Sequence, residues 1–549
     1  MTMLTGCVPW PAEDAERYRR LGYWRGQALG DVLRGAVPGN EDRIALVSGR
    51  EEWTFAAVDT VADRMAAGLR DLGLRPGDRV VVQLPNIPEF LTLSLALFRL
   101  GVLPVYALPA HRASEIEYLC QMSDAVAYVV PGRYRGFDFR KLAREVRERV
   151  RLEHVIVAGE PEEFLALSAI EAPARELPAP DSGDVAFFLL SGGTTGLPKL
   201  IPRTHDDYAY QLRATARGLG VGSESAYLAA LPVAHNAALG CPGVLGTYLA
   251  GGLTVLAGGA APDEAFGLIA RHRVTLTTLM PPLVKLWLDA APLFDVDVSG
   301  VLLQIGSAKL PLEVARRIRP ELGCEVTHWF GMAEGLLTFT RPGEPDDVVF
   351  PSTGRPMCEH DEVKVVGSDG APVAPGEIGE LVTRGPYTIR GYYRAEDHNA
   401  RTFTPEGWFH TGDLVRLTPA GDMVVEGRIK DVINRGGEKV SPAEVEDHLL
   451  AHPGVRDVSV VGVADEVLGE KSCAWVIAAA ADDADADASQ AAPTLAELRR
   501  FLLARGVAAF KLPDQVAFTK EFPHTRVGKV NKAELARLAA EQTSGVAAS

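Results

Sequence analysis

Cysteine is scarce and scattered. The 549 residues hold six, at Cys7, Cys120, Cys241, Cys324, Cys358 and Cys473, and no two form a CxxC pair. That argues against a disulfide framework and against a zinc site. No apolar run reaches the ~18 residues that a membrane span needs. The opening run MTMLTGCVPWPAEDAERYRR has no basic segment followed by an apolar one, so no secretory signal is expected. A surplus of positive charge is also missing: 56 Lys and Arg against 72 Asp and Glu leave a net charge of −16. Such a chain is a poor nonspecific binder of nucleic acid. The expectation is a cytoplasmic enzyme without nucleic-acid or membrane partners. An anionic cofactor is still allowed, because it needs only local donors.

What is present is an ordinary apolar content, 47%, in a chain too long for one core. Residues 42–180 alternate strand-like and helix-like runs. DRVVVQLP reads as a buried strand, and FLTLSLALFRLGVLPVYAL as a helix, a glycine stop and a strand. LTVLAG, PDEAFGLIARHRV, TLTTLMPP and VLLQIGSAKL continue the pattern. This predicts mostly parallel sheet covered by helices. From about Glu359 short strands with glycine turns take over, and after Lys430 a compact α+β segment follows. The expected class is therefore α/β: two α/β subdomains with a β-barrel-like part in residues 1–429, then a small α+β domain in residues 430–549. ADDADADASQAAPT reads as a low-complexity acidic loop within the second.

LLSGGTTGLPK, residues 189–199, packs three glycines, hydroxyls and a lysine directly after an apolar run. It is not a Walker A loop, since Lys199 does not follow a glycine. Glycines still let backbone amides converge on an anion, and Ser191, Thr194, Thr195 and Lys199 add donors. A plain surface turn fits the same letters. Glu334 in HWFGMAEG is placed either to hold magnesium or to lie in solvent. Asp413 in WFHTGDLV could meet a ribose diol or cap a turn. Lys529 in HTRVGKVNK reads, alone, as a solvent lysine.

Together, in this order, SGGTTGLPK, HWFGMAE, WFHTGDL, GRIKDVINRGGEK and RVGKVNK resemble the adenylate-forming superfamily of acyl-CoA synthetases, luciferases and peptide-synthetase adenylation domains. The resemblance spans about residues 20–540. It implies a small domain that rotates about Lys430 between an adenylating and a thioester-forming state. It implies ATP and Mg²⁺. Ser191, Gly192, Gly193, Thr194, Thr195, Gly196 and Lys199 would cradle the phosphates, with Gly306 and Met332 also on the nucleotide. Glu334 would hold Mg²⁺, and Asp413 and Arg428 the ribose. Lys529 would bridge the carboxylate and the α-phosphate, with His235 and Thr195 beside the reacting groups. Gly436, Gly437 and Lys439 would face an incoming thiol arm.

PKLIPRTHDDYAY, LPVAHNAALGCPG and RGPYTIRGYYRAEDHNA are similar to stand-alone aryl acid–AMP ligases, which start phenolate siderophores and related natural products. By that resemblance Asn236 meets a ring 2-hydroxyl and His235 the carboxylate, with Cys241, Ser307 and Leu337 also lining the acid site. Cys241 falls where 2,3-dihydroxybenzoate enzymes usually carry serine, and a thiol is a weak donor. The expectation is a salicylate–AMP ligase that loads a carrier-protein phosphopantetheine thiol. Ala237, Gly240 and Ser307 leave 3-hydroxyanthranilate or a substituted salicylate open, and 2,3-dihydroxybenzoate and free CoA also stay open. Cys241 could equally be a packing residue. A noncatalytic adenylate-binding or scaffold protein is the alternative of a different class. A homodimer fits the resemblance, though no segment marks its interface.

Overall fold

Two large sheets form the N-terminal part of the computed structural model, which describes residues 3–191, 198–307, 310–436, 438–465, 467–479, 492–525 and 529–546. The first sheet has a parallel centre: Leu302–Ile305, Leu276–Leu279, Ala226–Ala229, Leu253–Leu256 and Ile44–Ser48 lie side by side. Glu325–Met332 continues it in parallel, and Gly335–Phe339 turns back antiparallel at that edge. The second sheet runs Leu200–Thr204, Val185–Leu190, Leu103–Tyr106, Arg79–Val82, Ala125–Pro131, His154–Ala158 and Leu165–Ala166.

The helix Pro88–Leu100 is apolar on nearly every face, and every residue but Glu89 is buried. A helix with no polar face belongs between layers, and its Leu93, Leu95, Ala96 and Leu97 share one core with residues of both sheets. Gly101 ends it at φ 72°, as the glycine stop implies. The one charge on its inner surface, Arg99, is paired with Asp59 and Asp63. The prolines of TLTTLMPP do more than close a strand. They occupy the first turn of the next helix, Pro281–Ala290, where a missing N–H costs nothing.

The region expected to be barrel-like is an open sheet. Glu362–Val366, Gly379–Arg384, Phe409–Leu417 and Met423–Arg428 pair in chain order, and no closed barrel forms. Closure is blocked because the last strand bonds elsewhere: Met423 N–H donates to Gly354 O, and Met423 O accepts from Thr353 N–H. The small domain carries the helix Pro442–Leu450 and the long hairpin Val455–Asp465 with Gly469–Ala478. Its core, built on Ile433, Val445, Val460, Val476, Leu498 and Leu502, is separate from the larger ones. Among the described residues no helix is long and apolar enough to cross a membrane. The acidic loop lies mostly outside the described residues.

The RTHDDY run proves to be architectural. Thr204 and Asp207 close a capping box at the start of the helix His205–Gly218. Asp206 accepts from Gly26 N–H and Ser182 Oγ, tying distant segments together. His205 accepts Leu29 N–H at Nδ1, 3.1 Å away, and burial pushes its pKa down from 6.5 to about 4. A histidine lowered this way is neutral in the fold and charged in the unfolded chain. Its stabilisation is present above pH 6.5 and is lost as pH falls toward about 4. The loss is up to about 1.4 kcal/mol per pH unit. Urea midpoints between pH 6.5 and 4.5 should fall less steeply in His205→Asn than in wild type. Parallel slopes would remove His205 from the acid response.

Candidate active site

Several candidate residues follow the carboxyl ends of strands, where open α/β sheets bind ligands. The glycine loop leaves Val185–Leu190 and returns as Leu200–Thr204. Its neck is tight: Ser191 N–H donates to Lys199 O at 3.0 Å, and Lys199 N–H donates to Ser191 Oγ at 2.9 Å. Gly192, Gly193, Thr194, Thr195 and Gly196 lie outside the described residues. The Lys199 ammonium stands 5.7 Å from the centre of the Tyr392 ring. Tyr392 Oη in turn donates to Glu334 Oε1 at 2.7 Å. Lys199, Tyr392 and Glu334 thus form one wall.

Glu334 occupies the tight turn between Glu325–Met332 and Gly335–Phe339, with Met332 paired to Gly335. Gly335 has φ 142°, and a side chain there would meet Thr388 Cα at 2.4 Å, so the turn needs glycine. Burial raises the Glu334 carboxyl above its usual range, against the Tyr392 bond. Among the described residues no group of three or more His, Cys, Asp or Glu side chains could hold a metal. A lone carboxylate still fits Mg²⁺, which keeps waters and takes phosphate oxygens as its other ligands.

Asp413 lies in a strand, directly opposite Arg428 on the neighbouring strand, and caps no turn. Arg428 Nε donates to Asp413 Oδ1 at 2.7 Å. Asp413 Oδ2 is buried and has no partner among the described residues, which leaves an acceptor for a hydroxyl donor. From the small domain, Lys529 comes within electrostatic reach of Arg428, Asp413, Lys430, Glu334 and His235. Burial lowers its pKa, the Arg428 charge lowers it further, and Asp413 pulls the other way. His235, Glu334, the Asp413–Lys430 stretch and Lys529 come from well-separated parts of the sequence, and only the fold assembles them.

His235 and Asn236 begin the short helix Asn236–Gly240. His235 Nδ1 accepts Ala237 N–H at 3.2 Å. Burial, with the Lys529 charge second, pushes the imidazole down to about 4. The ring is therefore neutral at pH 7, and with Nδ1 accepting, its proton sits on Nε2. Asn236 Oδ1 accepts from Tyr208 Oη at 2.9 Å, and its Nδ2 donates to Cys241 Sγ at 3.6 Å. Gln211 Nε2 donates to Gly240 O at 2.9 Å and to the same sulfur at 3.6 Å. Behind Gln211 stands Arg203, fully buried, which gives Nη2–H to Gln211 Oε1 at 2.9 Å and Nε–H to Asp207 at 2.9 Å. Arg203 also bonds Ala333 O at 3.0 Å. It joins the acid side of the site to the Glu334 turn.

These facts revise two expectations. Cys241 is not a bare apolar wall, because its sulfur accepts from two amides. Burial raises its thiol to about 12, so it stays protonated. Gly240 adds no room, since a Cβ there would meet Tyr208 Oη at 2.1 Å. Ser307 stands at φ 67°, backbone that glycine adopts more readily, and its side chain is partly exposed. Gly306 and Leu337 are buried beside Trp329. Sequence reasoning missed Arg203, Tyr208, Gln211 and Trp329. An arginine four and eight residues before Asp207 and Gln211, which share one helix face, is a spacing signal that could have exposed Arg203 and Gln211.

Lys430 lies in the 3₁₀ turn Ile429–Asp431, between the open sheet and the small domain. Gly436 turns the hairpin that follows, with φ 58°, and its N–H donates to Leu468 O at 2.8 Å. Lys439 is exposed and bonded to Asn434, and Gly437 lies outside the described residues. No hydrogen bond or ion pair among the described residues joins Gly436 or Lys439 to His235, Asn236 or Lys529.

Comparison with known proteins gives the family. Residues 33–393 match the AMP-binding enzyme family, and residues 444–529 match the AMP-binding enzyme C-terminal domain. The chain is 51% identical to a 2,3-dihydroxybenzoate-AMP ligase of Bacillus subtilis, over 98% of this chain and 99% of that one. It is 45% identical to a salicyl-AMP ligase / salicyl-S-ArCP synthetase of Mycobacterium tuberculosis, over 97% and 94%. The apo structure of MbtA from Mycobacterium smegmatis superimposes with a TM-score of 0.74 at 44% identity, covering 97% of this chain and 99% of that one. The chain belongs to the AMP-binding, adenylate-forming enzymes, within the group of stand-alone aryl acid–AMP ligases.

Proposed function

We propose that the protein adenylates salicylate, or a close 2-hydroxyaryl acid, and passes the acyl group to the phosphopantetheine thiol of a carrier protein. The observation that carries this reading is the convergence of Lys529 with His235, Asp413, Arg428 and Glu334. The acid carboxylate attacks the α-phosphorus of ATP, a P–O bond forms, and the bond to pyrophosphate breaks. Both partners are anionic, so the step needs positive charge where the charge gathers. Lys529 supplies it from the small domain. Mg²⁺, held by Glu334, would neutralise phosphate charge when bound. His235 offers its Nε2–H to the carboxylate. Asp413 Oδ2 takes a ribose hydroxyl, and Arg428 fixes the Asp413 side chain in place. In the thioester step the thiol sulfur attacks the acyl carbon and AMP departs. Rotation about Lys430 would bring the Gly436–Lys439 hairpin to the thiol arm in place of Lys529. On this reading residues 1–429 and 430–549 are the two moving bodies.

The salicylate preference rests on Cys241. Two amides already fill its acceptor side, and its S–H is a weak donor to a ring 3-hydroxyl. The M. tuberculosis relative is named for salicylate and a carrier protein, which supports both halves of the proposal. The B. subtilis relative, named for 2,3-dihydroxybenzoate, makes that acid the competitor. Both names are consistent with a role in siderophore or related natural-product assembly.

ATP–pyrophosphate exchange with salicylate, 2,3-dihydroxybenzoate, 3-hydroxyanthranilate, anthranilate and benzoate tests the reading, compared as kcat/KM. Salicylate should lead. No exchange with any acid in a folded sample would sink the adenylation reading. In Cys241→Ser the hydroxyl would keep both amide bonds and turn its O–H to the ring. The 2,3-dihydroxybenzoate to salicylate ratio should rise by about 3- to 10-fold, one ordinary hydrogen bond. An unchanged ratio would deprive position 241 of its specificity role.

A further inference from the structure

Among the described residues the indole N–H of Trp329 has no partner. Trp24 donates to Pro386 O at 3.0 Å, Trp287 to Ala260 O at 2.9 Å, and Trp475 to Leu535 O at 3.1 Å. Trp329 is just as enclosed, with 5% exposure, yet its Nε1 is buried and unbonded. Buried indoles usually find an acceptor, and a donor left orphaned there destabilises the fold.

The position of this orphan is specific. A Cβ on Gly306 would stand 2.4 Å from Trp329 Nε1, and one on Gly331 would stand 2.7 Å from its Cζ3. The indole therefore lies across two glycines, which leave it the space a side chain would take. Leu337 packs over the same Gly331, 2.4 Å from the position a Cβ would take. Trp329 shares one packed cluster with Ala237, Cys241 and Leu337, the residues of the ring end of the acid site. The carboxylate end is marked by His235 and Lys529 instead. The small Ala237 leaves the ring end without a bulky side chain at that position.

We infer that Trp329 is a specificity-determining donor, and that the cognate aryl acid carries a hydrogen-bond acceptor on its ring, a ring nitrogen or an oxygen substituent, that takes the indole N–H. This rests on the aryl acid reading above and narrows it. A plain carbocyclic acid would leave the donor orphaned in the bound state. An acid with the acceptor relieves that cost only when it binds. The discrimination resembles that of sites built to bond a polar group, which reject analogues lacking it.

Three matched pairs of acids test the idea by ATP–pyrophosphate exchange, with wild type and Trp329→Phe side by side. Benzoate against pyridine-2-carboxylate and 2-naphthoate against quinoline-2-carboxylate probe nitrogen. Salicylate against 3-methoxysalicylate probes oxygen. Intrinsic reactivity cancels when the ratio of kcat/KM within a pair is compared between the two proteins. In at least one pair the ratio should fall by about tenfold in Trp329→Phe, and that pair identifies the acceptor. A merely structural role would lower both members equally. Ratios unchanged in every pair, with the acids still turning over, overturn the inference and leave the adenylation reading standing. No turnover of any acid by wild type overturns both. A readout independent of the variant's folding is the indole N–H spectrum of ¹⁵N-tryptophan-labelled wild type. One indole proton should move downfield with the acceptor-bearing acid and not with its matched partner. No such difference counts against the inference.

Discussion

Lys529→Ala is expected to lower ATP–pyrophosphate exchange by about 10²- to 10³-fold, the scale of losing one preorganised charge at a transition state. The fold should not suffer. The backbone of Lys529 is held on its own, with Thr525 N–H donating to Lys529 O at 2.6 Å and Lys529 N–H donating to Thr525 Oγ1 at 3.1 Å. No hydrogen bond or ion pair among the described residues holds its ammonium. That ammonium is desolvated and close to the cations Arg428 and Lys430. Without substrate it is a strained charge, so the alanine variant should melt at the wild-type temperature or slightly above it. Raised stability with lost activity is the pattern of a site tuned for an absent anion. Transfer from a supplied aryl adenylate to a thiol should be largely spared, because that step would use the other orientation of the small domain. Unchanged exchange would show that Lys529 does not act on the α-phosphate.

The second large effect is expected at Asp413. Asp413→Ala should raise the KM for ATP by about 10²-fold, while the KM for the aryl acid moves little. One carboxylate oxygen holds Arg428, and the other is a buried acceptor with no partner among the described residues. Loss of a charge-assisted bond to a ribose hydroxyl accounts for about 1.5–3 kcal/mol of that effect. Displacement of Arg428 supplies the remainder. Arg428 keeps considerable solvent exposure, so the stability cost should be modest, about 1–2 kcal/mol, below that of a fully buried pair. Asp413→Asn preserves the shape and one acceptor, and should fall between wild type and alanine. If the KM for ATP does not change in either variant, Asp413 does not read the ribose.

Much of this was legible in the residues. The strand and helix texture of the N-terminal part follows periodicity, and the apolar helix Pro88–Leu100 announces its place between layers. The change of texture near Glu359 marks the open sheet, though not its openness. That depends on Met423 bonding to Thr353 and Gly354, a pairing between segments about seventy residues apart that no local pattern encodes. The ordered motifs pointed to adenylate chemistry only together, through their resemblance in that order to the adenylate-forming superfamily; each alone also fitted a turn or a solvent residue. Roles within motifs were harder. RTHDDY carried the resemblance to the aryl acid–AMP ligases, and its place in the fold is a cap and a buried ion pair. Gly240 looked like empty space and is filled by Tyr208.

By itself the sequence supplied the candidate residues of the site: a glycine-rich loop, one isolated glutamate, an aspartate, an arginine and a lysine. It also determined the two-part organisation, because local periodicity and turn chemistry act over a few residues. Only the tertiary structure decided which of those groups share a field. Lys529 reads as a solvent lysine until the small domain sets it against Arg428, Asp413 and His235. Cys241 reads as a small hydrophobe until Asn236 and Gln211 bond its sulfur. Trp329 reads as core until its N–H is found without an acceptor. Desolvation, hydrogen-bond satisfaction and charge coupling are properties of neighbours in space, and neighbours in space are what the chain acquires by folding.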